Sequence, residues 1–164
     1  MRPAVLVRKG RELPLSGDSL TVLLRAVLAK GKPFRFRVMG FSMSPFIKDG
    51  DVVTVSPLVG RKPGTGEIVA FLRPGTDKVA IHRIVRKKSG RLFLRGDNSY
   101  SVDGALPLDR ILGAVSEVER NGRKVRGSVG RWSPAVALLS RTGGLVRGLC
   151  LLRRLTGRMA KRVP

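Results

Sequence analysis

The first recurring hydrophobic pattern in the chain has a period of three to four and occupies residues 20–30. This spacing is typical of an amphipathic helix that buries one face. Ser16-Gly17-Asp18 offers capping side chains before the run, and Gly31-Lys32-Pro33 ends it. At roughly three turns the helix is too short to span a bilayer. We therefore expect it to pack on a sheet.

From Phe34 onward the hydrophobic period changes to two, the spacing of strands with one buried face. Glycine and proline punctuate these runs at intervals typical of antiparallel turns. A further short strand is predicted at residues 4–7, followed by a loop to residue 15. The predicted fold class is mostly β, a coiled antiparallel sheet with an N-terminal helix. The strands predicted after the helix are residues 34–39, 51–55, 67–72, 79–85, 91–95, 111–118 and 124–126.

These patterns divide the chain into three predicted parts: an N-terminal arm and helix (1–32), a β-domain (33–127) and a basic, helical C-terminal tail (128–164). Lys and Arg number 33 against 11 Asp and Glu, a formal net charge of +22. The excess is concentrated toward the end, because residues 120–164 hold twelve basic residues and no acidic one. Such a segment attracts polyanions.

The tail has two interpretations. As an amphipathic helix it would lie in the plane of an anionic membrane surface, with Trp132 at the interface. As a pair of helices joined at Gly143-Gly144 it would pack on the β-domain. Arginines in the middle of residues 132–152 would each cost about 2.5–3.5 kcal/mol at a bilayer centre, which argues against a spanning helix. Nucleic acid is the less favoured partner.

Cysteine and histidine usage limits the possible metal and disulfide chemistry. The single cysteine, Cys150, excludes an intramolecular disulfide, and one cysteine with one histidine argues against structural zinc. Cys150 lies in an apolar run and is predicted to be buried. The N-terminus lacks the long apolar centre of a secretory signal. We expect no metal, no cofactor, and a cytoplasmic or peripherally membrane-associated protein.

Candidate chemistry centres on residues 40–45, Gly-Phe-Ser-Met-Ser-Pro, directly after a predicted strand. Gly40 permits a sharp turn or close substrate approach. On such a turn Ser42 would expose its Oγ, with neighbouring backbone N–H groups directed at one point. A serine nucleophile needs a base within hydrogen-bond reach. The one histidine, His82, lies forty residues later in a predicted strand; taken singly, each residue is more often structural than catalytic.

Five strings, taken together and in order, resemble the conserved motifs of the signal peptidase I and repressor-autoprotease superfamily of serine peptidases. The nucleophile motif there is Gly-x-Ser-Met-x-Pro, two Gly-acidic-hydrophobic strands follow, and a general-base motif and a Gly-Asp-Asn motif come last. Each match alone is weak, but the ordered set is specific. The matching strings are residues 40–45, 49–53, 66–71, 81–84 and 94–98.

The resemblance implies a coiled antiparallel β-fold and hydrolysis of a peptide bond. By position, Ser42 is the nucleophile, His82 is the general base and Asp103 orients His82. Histidine at the base position is typical of the endoplasmic-reticulum and archaeal branch, whereas most bacterial members use lysine. Whether Asp103 or Asp97 orients His82 is left open at this point.

The resemblance and the strand pattern add supporting residues around this triad. Arg83 follows His82 on a strand and therefore points to the opposite face. An oxyanion site would use backbone donors such as the Ser42 N–H, because position 40 is glycine. The supporting set is Asp97, Gly40, Met43 and Arg83. Of these, Asp97 is expected to brace the site and Met43 to flank the cleft.

Two functions from different classes fit these observations. The first is a serine endopeptidase that cleaves a signal, leader or precursor peptide through a Ser-His(-Asp) mechanism, with a peptide or preprotein as its partner. The second is a repressor-like regulatory module, self-cleaving or inactive, that binds a polyanion. Only one helix fits into residues 16–31, so no helix-turn-helix precedes the β-domain. This favours the peptidase.

Overall fold

The computed structural model describes the backbone of residues 4–8 and 11–125 and the side chains of residues 14–125. The predicted tail, residues 128–164, lies outside the described residues. The expectations for Trp132, for the Gly143-Gly144 junction and for Cys150 therefore stay predictions.

The described strands form one ten-stranded antiparallel sheet in the order β2-β1-β3-β4-β9-β5-β6-β7-β8, with β10 paired to β9. One helix, α1, lies between β2 and β3 in the chain, and a short 3-10 turn spans Leu108–Arg110. The elements are β1 (Ala4–Arg8), β2 (Arg11–Leu15), α1 (Gly17–Ala29), β3 (Phe34–Arg37), β4 (Val52–Ser56), β5 (Ile68–Leu72), β6 (Val79–Lys88), β7 (Arg91–Arg95), β8 (Val102–Leu106), β9 (Ile111–Arg120) and β10 (Arg123–Lys124).

This architecture confirms the predicted fold class, mostly β with an antiparallel sheet and an N-terminal helix. The register shifts once in each of four pairings, β4 with β9, β5 with β9, β6 with β7 and β7 with β8. Such irregularities bend strands and increase their twist. They are the local features expected of a coiled sheet.

The helix begins and ends where the sequence pattern predicts. Ser16 is its N-cap and accepts a hydrogen bond from the Ser19 backbone N–H. Leu20, Leu24 and Leu28 form its buried face, at the predicted spacing. Truncating the fully buried Leu24 to alanine would cost about 2–5 kcal/mol. No helix in the described part of the chain is long and apolar enough to cross a bilayer.

Two strands differ from the sequence-based expectation. β2 replaces the predicted loop; it contains Pro14, and a proline is tolerated because β2 lies at the edge of the sheet. β8 was not expected, since its sequence Val-Asp-Gly-Ala-Leu contains two poor strand formers. Pairing with β7 holds β8 in the sheet.

Two buried clusters support the region that contains the candidate site. The first joins α1 to β3 and β4, and includes Met43 and Ile47 from the loop between those strands. The second lies among β5, β6, β7 and β9 and includes Phe71. The Phe71 ring lies 5.6 Å, centroid to centroid, from the imidazole of His82. The loop that contains Ser42 and the strand that contains His82 are therefore each supported by a packed core.

Candidate active site

The loop that carries Ser42 connects β3 to β4 and is closed at its base by backbone hydrogen bonds. The Val38 N–H donates to the Asp51 carbonyl, and the Gly50 N–H donates to the Val38 carbonyl. Gly40 has a φ of 107°, which a side chain would disfavour, and its N–H donates to Asp49 Oδ1 at 2.7 Å. The loop turns here and leaves Ser42 exposed at its tip.

His82 lies on β6 with its side chain almost fully buried, and it faces the loop. Its Nε2 is 3.1 Å from Ser42 Oγ. Its Nδ1 is hydrogen-bonded to a carboxylate oxygen of Asp103, which comes from β8. The structure thus brings together the three residues that the sequence analysis singled out, from three separate elements.

This arrangement fixes which imidazole nitrogen meets the serine. When Nδ1 carries the proton and donates to the Asp103 carboxylate, Nε2 presents its lone pair to Ser42 Oγ. The same carboxylate stabilises an imidazolium once His82 has accepted a proton. A hydroxyl, an imidazole and a carboxylate in this sequence form the arrangement used for nucleophilic attack on acyl groups.

Asp97 and Arg83 form a second, deeper pair beside the triad. Arg83 Nε and Nη2 donate to the two Asp97 carboxylate oxygens at 2.8 and 2.7 Å, and both side chains are 0% exposed. Arg83 Nη1 also donates to the Gly66 carbonyl, and its guanidinium lies over the Phe46 ring, 5.4 Å from the centroid. Of the two aspartates that the sequence left as alternatives, Asp103 contacts His82 Nδ1, and the Asp97 oxygens accept from Arg83.

Two further residues that the sequence analysis did not single out position the Ser42 backbone: Asn98 binds it, and Gly96 leaves room for it. The Asn98 N–H donates to the Ser42 carbonyl at 2.7 Å, and Asn98 Nδ2 donates to the Phe41 carbonyl at 3.2 Å. A Cβ on Gly96 would lie 2.6 Å from that Ser42 carbonyl and 3.1 Å from His82 Nε2. Gly96 and Asn98 flank Asp97 in the Gly-Asp-Asn string, so the signal was in the sequence. Their contacts depend on tertiary structure.

A cleft of about 670 Å³ opens beside Ser42 and His82. Residues 36–40 and 78–82 are among its lining residues, as is Met43. Residues 79–82 pair with β5 on one edge, while pairing with β7 begins only at Arg83. In residues 4–8 and 11–125 no strand pairs with the other edge of 79–82.

The hydrogen bonds of the Ser42 turn bear on the expected oxyanion donor, the Ser42 N–H. The Ser44 N–H donates to the Phe41 carbonyl, which tightens the turn. No acceptor for the Ser42 N–H is found within the described residues. That N–H is thus available to a substrate oxygen.

Across the residues that the structure describes, no group of three or more His, Cys, Asp or Glu side chains is arranged to hold a metal ion.

One comparison with known proteins identifies a family for this chain. The family model described as Peptidase S24-like matches residues 9–115 of the chain. No curated protein matches the chain significantly. The matched range contains α1, the Ser42 loop, β6 with His82 and β8 with Asp103.

Proposed function

Because the chain belongs to the Peptidase S24-like family, we propose that it is a serine endopeptidase that cleaves a signal, leader or precursor peptide. The family is related to peptidases and also contains non-catalytic members, so membership alone leaves the activity open. The observation that carries the proposal is the contact of Ser42 Oγ with His82 Nε2 at 3.1 Å while Asp103 holds Nδ1.

The reaction follows from these positions. His82 Nε2 accepts the Ser42 hydroxyl proton as Oγ attacks the substrate carbonyl carbon, and the Ser42 N–H donates to the developing oxyanion. The imidazolium, stabilised by Asp103, returns the proton to the amine of the leaving peptide as the C–N bond breaks. Water, deprotonated by His82, then hydrolyses the acyl-enzyme and releases Ser42.

The geometry favours histidine over lysine as the base. Lys87 Nζ donates to the Pro63 carbonyl, and Lys88 is exposed at the far end of β6. Lys78 lines the cleft but precedes β6 and lies four residues before His82, about 13 Å at 3.3 Å per residue of extended chain. These positions support assigning the chain to the histidine branch of the superfamily.

The free edge of residues 79–82 supports an extended substrate. A peptide laid along it would gain backbone hydrogen bonds from β6 and pass beside Ser42, with alternate side chains in the cleft. The resemblance to signal peptidases implies small residues next to the scissile bond. A preprotein segment or a short precursor peptide meets both requirements.

Cleavage of a peptide library tests the proposal. We expect the full chain to cut peptides at neutral pH and the Ser42→Ala variant to cut none. Ser44→Ala is the matched control, since Ser44 lies two residues away in the same turn and should keep nearly full activity. Circular dichroism verifies that each variant is folded, and mass spectrometry of the products locates the cut sites.

The same experiment evaluates the alternative, a repressor-like or non-catalytic module. A folded wild-type chain that cuts no peptide, neither in the library nor in itself, would exclude the peptidase and favour that module. Cleavage confined to the chain itself would support the Ser42 chemistry but assign it to self-processing. Equal loss of activity in Ser42→Ala and Ser44→Ala would exclude Ser42 as the specific nucleophile.

A further inference from the structure

We propose that the cleft selects substrates with an acidic side chain about four residues from the scissile bond, bound by Arg73 and Lys78. This inference rests on the proposed peptidase function and adds the chemical class of its substrate. Relative to the scissile bond at Ser42, the acidic residue lies in the direction that runs along the cleft from His82 toward Lys78.

The two cations flank the turn between β5 and β6. The Arg73 N–H donates to the Lys78 carbonyl at 2.9 Å, which closes the turn and places both residues at the end of the cleft that they line. The one acid within this turn, Asp77, forms an ion pair with Arg110 and is not among the lining residues. The turn therefore contributes two basic residues to the cleft lining, while its own acidic residue is paired with Arg110.

The rest of the cleft lining does not offset this charge. None of the described lining residues is Asp or Glu. Opposite charges in a partly enclosed cleft attract a ligand more strongly than they would on an open surface.

The start of α1 also lines the cleft, close to Lys78. Ser16 and Gly17 line the cleft, and Lys78 Cδ lies 3.9 Å from the position that a Cβ would take on Gly17. The N-terminus of a helix carries partial positive charge, so a lysine beside it is poorly compensated. A substrate carboxylate would be attracted to both. Asp18, in the first turn, is not among the lining residues.

Strand geometry fixes the spacing along the substrate. Lys78 directly precedes β6 and lies four residues before His82, about 13 Å at 3.3 Å per residue of extended chain. A peptide paired along the same edge has the same rise per residue, so a carboxylate held by Lys78 lies about four residues from the bond that faces Ser42. Because the side chains of Arg73 and Lys78 are long, the favoured position of the acidic residue extends by about one residue in either direction.

The test uses short alanine-rich peptides in which one glutamate occupies each position in turn, each matched by the same peptide with glutamine. For the full-length wild type we expect kcat/KM about fivefold to tenfold higher with glutamate at the favoured position, the size of two partly exposed ion pairs. The preference should shrink in high salt, because the Debye length falls from about 10 Å at 0.1 M to 3 Å at 1 M.

Matched variants separate the cleft from the net charge of the whole chain, which is +22. Arg73→Gln with Lys78→Gln should abolish the glutamate preference. Lys32→Gln with Lys88→Gln, which removes the same charge from exposed positions that do not line the cleft, should keep it. The reversal Arg73→Glu with Lys78→Glu should favour peptides with lysine at that position. Equal rates for glutamate and glutamine at every position, or equal loss of preference in both double variants, would overturn the proposal.

Binding of the same peptides to Ser42→Ala distinguishes the two proposals. A chain that cuts nothing, whose Ser42→Ala variant still binds glutamate peptides more tightly, would refute the peptidase and support the acidic-peptide cleft. A chain that cuts peptides, with neither rate nor binding dependent on the glutamate, would support the peptidase and refute the cleft inference.

Discussion

His82 and Arg83 are neighbours on β6, and each is paired with an aspartate, yet the two pairs lie in different environments. The His82–Asp103 pair borders the cleft, with side chains 6% and 18% exposed, and is in contact with the exposed Ser42. The Arg83–Asp97 pair is 0% exposed on both sides and is enclosed by Gly66 and Phe46. We call them the reactive pair and the anchoring pair.

The difference shows how one strand serves two roles. Successive side chains of a strand point to opposite faces, so a single step along β6 separates a group that exchanges protons in the proposed mechanism from a group that stays fixed. The reactive pair needs access to substrate and water. The anchoring pair has its charges satisfied by bidentate and backbone hydrogen bonds, and it fixes the Gly-Asp-Asn segment that holds the Ser42 backbone.

The largest expected effect is loss of the base. His82→Gln keeps a polar side chain of similar size but cannot accept a proton from Ser42, so kcat/KM should fall about a thousandfold or more. The denaturant midpoint should stay close to that of wild type. Peptide cleavage assays and urea titration measure the two quantities, and a fall smaller than tenfold in a folded variant would point to another base.

Breaking the anchoring pair should act on stability first. Arg83→Met leaves the Asp97 carboxylate buried without its main partner, which should lower the free energy of unfolding by about 3–5 kcal/mol in urea titration. Replacing both partners, Arg83→Met with Asp97→Leu, should recover most of this loss, because no unpaired charge remains. If the single variant were as stable as wild type, the anchoring role would be wrong.

Asp103→Asn tests the orienting contact of the reactive pair. An amide can donate to Nδ1, which favours the tautomer whose Nε2 carries the proton and so cannot accept from Ser42. We expect kcat/KM to fall about a hundredfold, with KM and the unfolding free energy nearly unchanged. Steady-state kinetics with the best library peptide measures kcat and KM separately. A change confined to KM would contradict an orienting role.

The smallest effect is expected at a third ion pair, Arg120–Asp51, where Arg120 is 30% exposed and Asp51 is 2% exposed. Arg120→Gln should lower the unfolding free energy by only about 1 kcal/mol, since the Lys48 N–H still donates to Asp51. The hydrogen bond to Asp51 raises the pKa of Arg120 above its ordinary value.

The sign of that shift sets the pH dependence. A raised pKa stabilises the fold at every pH below the ordinary value, and the contribution is lost only as the pH rises through the raised value. Urea titrations near neutral and mildly alkaline pH should therefore give the same difference between wild type and Arg120→Gln. A difference that disappears in this range would show that the arginine charge is not its source.

Most of the elements, and Ser42 and His82 as candidate residues, could be predicted because each carries a local signal. α1 has helical spacing and a serine cap, β6 alternates around His82, and the Ser42 turn has a recognisable motif. Asp103 was reached only through the resemblance, since β8 has weak strand propensity and is held in place by β7.

The remaining features depend on pairings that no local pattern encodes. The bond between Arg83 and Asp97 joins residues fourteen positions apart on different segments. The hydrogen bond from Asn98 to the Ser42 carbonyl, and the close approach of Gly96 to that carbonyl, exist only in the folded chain. They require that β7 has paired with β6 and that the segment after β7 meets the Ser42 loop. The positive charge at Arg73 and Lys78 was visible in the sequence, but its position in the cleft was not.

The most direct test of the account is to change the attacking atom itself. In Ser42→Cys a thiolate replaces the hydroxyl, and alkylation of that thiol removes the nucleophile. We expect slow peptide cleavage that falls in step with modification of residue 42 by N-ethylmaleimide. The wild type, which retains only Cys150, should be unaffected by the reagent. Cleavage by Ser42→Cys that persists after residue 42 is fully alkylated would contradict Ser42 as the nucleophile.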